Sequence, residues 1–340
     1  MRVARFPRMR VLAWSGDTLF ASRGYELVRA TMDDPQKATW QPVARFRPPW
    51  RRRFSVQNKL TARLFRDGFH ALAVLSSGLV AAVPGAIVTL HGDEPEFHVT
   101  HTIKRGTRPL HITAVPDGTI FWGEYFDNPS REEVHIYAST DHGRTWSVAY
   151  TFPAKAIRHV HNIVHDPWGN CLWILTGDYG DECRILRATR DLKHLETIVQ
   201  GNQQARAVAA VATEEGLHFS SDTPLEQNYI YCLDRAGALA RLAPISGSSI
   251  YGCRVADRTF FSTMIEPSEV NLDRSVRIYS GAQGEGWRPL LEWRKDRWPM
   301  GLFQYGNAFL PDGENMTRFL AVSTVAVAAD DMATSIYHLP

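Results

Sequence analysis

The feature that most restricts this chain is a hairpin that recurs seven times: an apolar strand, a tight turn and a second apolar strand. The turns contain Ser15-Gly16-Asp17, Ser77-Gly78, Pro116-Asp117-Gly118, Pro167 to Asn170, Glu215-Gly216, Asp257-Arg258 and Pro311-Asp312-Gly313. Each supplies the Gly, Asp, Asn or Pro that a reversal of direction requires. Successive turns lie roughly 40 to 60 residues apart, the length of a four-stranded blade. Short runs of alternating Val, Ile, Phe, Tyr and Trp dominate between them, and no long stretch carries helical periodicity. The expectation is an all-β chain, a seven-bladed β-propeller with four-stranded blades.

On this reading residues 1–340 form a single domain, with approximate blades at 10–48, 62–104, 108–152, 157–199, 203–245, 248–294 and 298–340. The last unit has three strands, Leu302 to Leu310, Phe319 to Ala328 and Thr334 to Leu339, so its missing outer strand is assigned to the N-terminus, within residues 2–8. Pairing the two chain ends in this way removes the open sheet edges.

Composition narrows the partners. With 38 basic and 36 acidic side chains the net charge is +2, too weak a field to hold a polyanion by charge alone, so no nucleic-acid partner is expected. The basic run from Arg45 to Arg53 also holds Pro48 and Pro49 and reads as a solvated connection. The four cysteines, Cys171, Cys183, Cys232 and Cys253, have no paired spacing and follow apolar strand residues, as reduced buried thiols do. No apolar run of about eighteen residues occurs, so membrane insertion is not expected. The N-terminal segment lacks a signal-peptide pattern, which points to the cytoplasm, or to export only if a leader was removed. Oligomeric state is not readable from these features.

In a propeller the first strand of each blade lines the channel, and one channel end gathers the loops entering first strands and those leaving second strands. Polar residues recur at both places. Entering first strands are Arg108 to His111, Arg158 to His161, Gln203 to Arg206, Ser249 to Tyr251 and Phe303 to Tyr305. Leaving second strands are Glu124 to Asp127, Asp178 to Glu182, Asp222 to Asn228 and Glu266 to Glu269.

His159 and His161 are the sharpest pair, because residues two apart in a strand point the same way and present two imidazoles to one site. They could bind a divalent metal with a third ligand, supply an acid and a base, or hydrogen-bond within the channel wall. No other cofactor is indicated. Arg158 and Arg206 enter from adjacent blades and could hold one carboxylate in forked hydrogen bonds, or pair instead with Asp178 or Asp222. Glu124, Asp178, Glu226, Glu266 and Glu269 offer the carboxylate pairs that glycoside chemistry needs. Tyr251 and Tyr305 could donate a proton or stack on a sugar ring. The candidate catalytic set is therefore His159, His161, Tyr251, Tyr305, Glu226 and Asp178. The candidate binding set is Arg158, Arg206, His111, Glu124, Gln204, Glu266, Glu269 and Gln304.

Between Val134 and Phe152 a second hairpin carries the turn Ser139-x-Asp141-x-Gly143-x-Thr145-Trp146. This turn resembles the Asp-box, and degenerate copies stand at Ser280 to Trp287 and Thr31 to Trp40. The Asp of such a turn is a structural device. The resemblance is to the sialidase-like and related carbohydrate-active propellers, with seven-bladed polysaccharide lyases the better comparison, since the chain has no Arg-Ile-Pro motif. It implies channel-end His, Tyr and Arg residues acting on an acidic oligo- or polysaccharide by hydrolysis or β-elimination. The alternative is a non-catalytic propeller that binds a glycan or protein on the same rim.

Overall fold

The computed structural model describes all residues except Val56, Gln57, Asp93, Gln283 and Pro340. Its strands form seven sheets around one channel, antiparallel within every blade. The first blade runs Arg10–Gly16, Thr18–Arg23, Glu26–Thr31, Gln41–Arg45, and the second Ala71–Leu75, Gly78–Val83, Ala86–His91, His98–Thr102. The third is Thr113–Ala114, Ile120–Gly123, Val134–Ser139, Ser147–Phe152, and the fourth His159–Asp166, Cys171–Gly177, Arg184–Ala188, Leu195–Gln200. The fifth is Ala207–Ala212, Gly216–Ser221, Tyr229–Asp234, Leu239–Pro244, and the sixth Ser249–Val255, Arg258–Thr263, Ser275–Ala282, Arg288–Arg294.

The seventh blade comprises Asn307–Phe309, Phe319–Val325 and Ala333–His338, with Arg2–Pro7 as its outer strand. The closing pairs include Ala4 with Ile336, Arg5 with Ser335 and Phe6 with Thr334. Exposed ion pairs from Arg2 and Arg5 to Asp330 accompany them. Between blades the core is aliphatic and aromatic: Trp122, Trp173, Phe219, Phe260 and Phe261 are among its largest fully buried side chains. Burying surfaces of this size drives the blades together.

Two sequence expectations fail locally. Residues 62–65 and 302–303 are helical: the short helices are Trp50–Ser55, Lys59–Phe65 and Met300–Phe303. The Asn58 side chain accepts from the Thr61 amide at 2.9 Å and caps the second helix, while buried Arg63 donates to the Phe303 carbonyl at 3.1 Å. This capping and docking outweigh the strand reading, so the second and seventh blades begin later than expected. None of these helices is long and apolar enough to cross a membrane.

The seventh turn is the larger departure. Pro311-Asp312-Gly313 does not close a tight hairpin; the chain leaves the first strand of that blade and Asp312–Asn315 pairs in parallel with Arg10–Gly16. Ala13 faces Asp312 and Gly16 faces Asn315, and the segment also touches the inner strands of the second and sixth blades. It therefore lies inside the channel and gives it a floor. Gly313 is required there: its φ is +85° and a Cβ would stand 2.2 Å from the Trp14 carbonyl oxygen. The other six turns join first and second strands at the floor end, as expected.

Candidate functional site

The opposite end is the mouth, where first strands begin and second strands finish. His159 opens the inner strand of the fourth blade and pairs with Gly177, the last residue of the next strand. The register slips between Val160 and Asn162, leaving His161 at a bulge. A bulge re-aims a side chain, and here it brings the two rings to one point. Gly177 leaves the room for this, because a Cβ at that position would meet His161 Cε1 at 2.5 Å.

The two imidazoles are oriented from behind. His159 Nδ1 lies 3.0 Å from the Phe126 carbonyl oxygen and His161 Nδ1 2.9 Å from that of Ala207. Carbonyls only accept, so both Nδ1 atoms carry hydrogen and both Nε2 atoms face inward. The Nε2 atoms stand 3.1 Å apart and 3.3 and 3.2 Å from Asp178 Oδ1. Both histidines and Asp178 are buried. The ring of Tyr125 covers His159 at a centroid distance of 4.3 Å.

Asp178 is the hub of this group. Arg158 Nη1 reaches its Oδ2 at 3.1 Å and Arg206 Nη2 its Oδ1 at 3.5 Å. Arg158 also holds Asp127, and Arg206 stands 3.9 Å from Asp222. Burial opposes ionisation of Asp178, but the hydrogen bonds and charges of His159 and His161 outweigh it and hold the carboxyl well below the usual range. Burial pushes the His161 imidazole down, against the pull of Asp178.

Its neighbour behaves in the opposite way. Burial, only partly offset by Arg206, pushes the Asp222 carboxyl up to about 7, and burial likewise raises Glu266. Tyr125 is pushed up to about 12 by burial and by the charges of Asp178 and Asp222. One mouth thus holds an ionised carboxylate and a carboxyl that keeps its proton near neutrality, the divergence that separates base from acid roles.

Of the sequence candidates, Arg158, His159, His161, Asp178, Arg206 and Glu266 converge here. His111 and Tyr251 stand elsewhere round the mouth: His111 Nδ1 is 3.4 Å from Asp312 of the floor strand, and the Tyr251 hydroxyl lies 3.4 Å from Arg10 Nη2. The remaining candidates do not join them. Glu124 is consumed by a bidentate pair with Arg105 and by the His135 amide. Gln304 follows a helix with a φ of +70° and donates to the Arg63 carbonyl at 2.7 Å. Glu226 and Glu269 are exposed, and Gln204 lines a cavity of about 340 Å³ with Tyr231, Leu239 and Arg241. Tyr305 is half-buried and makes no hydrogen bond with the Asp178 group among the described residues.

Arg158 and Arg206 both pair with Asp178, as the alternative reading of these two arginines allowed, and Arg206 does so from the fifth blade to the fourth. Sequence reasoning also missed Arg10 and His70, and placed Arg108 among the entering polar residues without giving it a role. Arg10 opens the inner strand of the first blade, and His70 precedes that of the second, so both obey the rule that identified Arg158.

No protein-family profile matches the chain, and no curated protein matches it. Solved structures do. A chain of the mitotic checkpoint complex is similar at 10% identity, covering 100% of this chain and 94% of that one with a TM-score of 0.60. The β-propeller domain of Cps50 (Swd1) from Myceliophteria thermophila is similar at 11% identity, with coverage of 97% and 96% and a TM-score of 0.58. The WD40 propeller domain of Doa1 is similar at 12% identity, with coverage of 100% and 97% and a TM-score of 0.58. Identities this low show the propeller fold alone.

Proposed function

We propose that this protein is an enzyme that cleaves an acidic oligo- or polysaccharide at the channel mouth, by hydrolysis or by β-elimination at a uronic acid. The observation that carries the reading is the meeting of His159 Nε2, His161 Nε2 and Asp178 Oδ1 within 3.3 Å of one another beside Asp222, whose carboxyl burial pushes up to about 7. His161, neutral because burial pushes it down, offers a base. Asp222, with a carboxyl pushed up to about 7, offers the acid that protonates the leaving oxygen. Asp178 stays ionised and positions both imidazoles. The same acid and base serve either reaction: they remove a proton beside the uronate carboxylate, or they activate water. Arg10 and Arg108, which have no carboxylate in ion-pairing distance among the described residues, give the mouth positive charge that favours an acidic substrate.

The three atoms also suit a divalent cation. At separations of 3.1 to 3.3 Å, His159, His161 and Asp178 would together hold one such ion. The carbonyls behind both rings supply the orientation such ligands need. When bound, the ion would polarise a substrate carboxylate or hydroxyl.

The Ser139 to Trp146 turn supports kinship with Asp-box propellers. Asp141 accepts from the Thr145 amide at 2.9 Å and hydroxyl at 2.6 Å, and Gly143 has a φ of +83°. A second reading, a non-catalytic glycan- or protein-binding propeller, draws support from Arg158 and Arg206, whose ion pairs to Asp178 leave neither free beside the histidines.

The test is a panel of uronic-acid polymers, followed both for unsaturated product and for new reducing ends. The enzyme reading expects turnover in one of the two. Silence in both across the panel, with binding retained, would establish the second reading instead.

A further inference from the structure

A second group of side chains occupies the mouth on the side of the first, second, third and sixth blades. Arg10 is fixed by neutral acceptors: its Nη1 lies 3.1 Å from His70 Nδ1, and its Nη2 lies 3.3 Å from the His70 carbonyl and 3.4 Å from the Tyr251 hydroxyl. Its guanidinium stacks 4.0 Å from the ring centroid of Phe309. His70 Nε2 faces the Arg66 carbonyl at 2.7 Å and donates to it, which leaves Nδ1 to accept from Arg10. Burial and the charges of Arg108 and Arg10 keep this imidazole neutral, well below its ordinary range.

Nothing in this group cancels its charge. Among the described residues neither Arg10 nor Arg108 has a carboxylate within ion-pairing distance. Arg10 Nε is buried without a hydrogen-bond partner. Arg108 makes no side-chain hydrogen bond there, and burial together with Arg10 and Arg66 pushes its guanidinium down to about 10. Asp312 of the floor strand, whose charge acts on Arg10, turns to His111. Half-burying two neighbouring guanidinium groups without a counter-charge is costly unless an anion joins them.

We propose that Arg10 and Arg108, with Tyr251, form an oxyanion subsite that holds a tetrahedral dianion, a phosphate or sulfate ester on the ligand. A single carboxylate would neutralise one guanidinium and leave the other; a dianion with several acceptor oxygens matches the fork geometry of two. The inference deepens the proposed function by naming a second acidic group on the saccharide, and rests on it only in taking the mouth as the ligand site.

The test is calorimetric titration of the full chain with inorganic phosphate, sulfate and galacturonate, and then with glucose 6-phosphate and glucose 6-sulfate. Phosphate or sulfate should bind at millimolar or tighter affinity, and the tighter of the two sugar esters identifies the natural group. Arg108→Gln should weaken binding about tenfold or more, equal to the loss of one charge-assisted contact. Arg108→Lys should fall between that variant and wild type, while Arg288→Gln, at an exposed outer-strand position, should change nothing. Circular dichroism confirms that each variant is folded. Absence of saturable phosphate or sulfate binding, equal binding by Arg108→Gln, or galacturonate binding as tightly as the dianions would each overturn the proposal. None of these readouts depends on turnover, so a failed cleavage assay and a failed subsite are separate results.

Discussion

Replacing Asp178 by Asn should be the most informative single change to the mouth. The carboxylate is 11% exposed and balances two guanidinium groups, Arg158 at 3.1 Å and Arg206 at 3.5 Å, while receiving both histidines. Removing one partner of a buried ion pair typically costs 3–5 kcal/mol. Arg158 retains Asp127 and Arg206 retains Asp222 at 3.9 Å, so the lower end, about 3 kcal/mol, applies. At about 2.1 cal/mol/K per residue the chain unfolds with an entropy of roughly 0.7 kcal/mol/K, which converts that loss to about 4 °C in Tm.

Thermal unfolding at pH 7 measures this, with Asp127→Asn as the internal control. Asp127 holds the same Arg158 but is 79% exposed, so its loss should cost under about 1 kcal/mol and barely move Tm. The pH dependence has a definite sign. Because the Asp178 carboxyl is depressed in the fold, its contribution is present above its unfolded value of 3.8 and is lost as pH falls through the depressed value. The gap between wild type and Asp178→Asn should therefore narrow in acid. A variant that melts within about 1 °C of wild type, or no lower than Asp127→Asn, would refute the role of Asp178 as hub.

Other consequences are equally concrete. Asp222 has the reverse sign: raised from 3.8 to about 7, its ionisation costs stability progressively between those values, up to about 4 kcal/mol. Asp222→Asn should thus melt above wild type at pH 8 and near it at pH 4, and equal shifts at both would dismiss a protonated carboxyl. Zinc or manganese added to metal-stripped protein should bind once per chain, and His159→Ala should weaken that binding by two orders of magnitude or more. Calorimetry that finds no cation uptake would remove the metal from the account while leaving the acid and base. Gly177→Ala forces a Cβ to within 2.5 Å of His161 Cε1. It should cost about 1–3 kcal/mol and impair whatever the histidines do, whereas an unchanged melting curve would show that the ring has room to move.

Much of this was readable from residue order, and the exceptions have physical causes. Strand alternation and turn chemistry are local, so six of the seven inner turns and the N-terminal closure followed directly from them. The mouth was legible because propeller topology brings entering and leaving loops to one end, which placed His159, His161, Asp178 and Arg206 together. Where one residue bonds to a distant one, the pattern is silent. Pro311-Asp312-Gly313 has turn composition, yet its backbone finds the edge of Arg10–Gly16 almost three hundred residues away in sequence. Glu124 looked like a rim acid because nothing local shows that Arg105 takes it. Arg10 and His70 occupy the right position, but the preceding segments, Arg8 in left-handed backbone and the Lys59–Phe65 helix, disguise where their strands begin.

The claim that the paired imidazoles form the reactive centre is tested most directly by turnover of His161→Ala beside wild type on the uronic-acid polymer that wild type cleaves best. Loss of a positioned base predicts a fall in kcat of about 10² to 10⁴ with the circular dichroism spectrum unchanged. A folded His161→Ala protein that retains wild-type kcat would contradict the assignment and move the chemistry away from this end of the fourth blade.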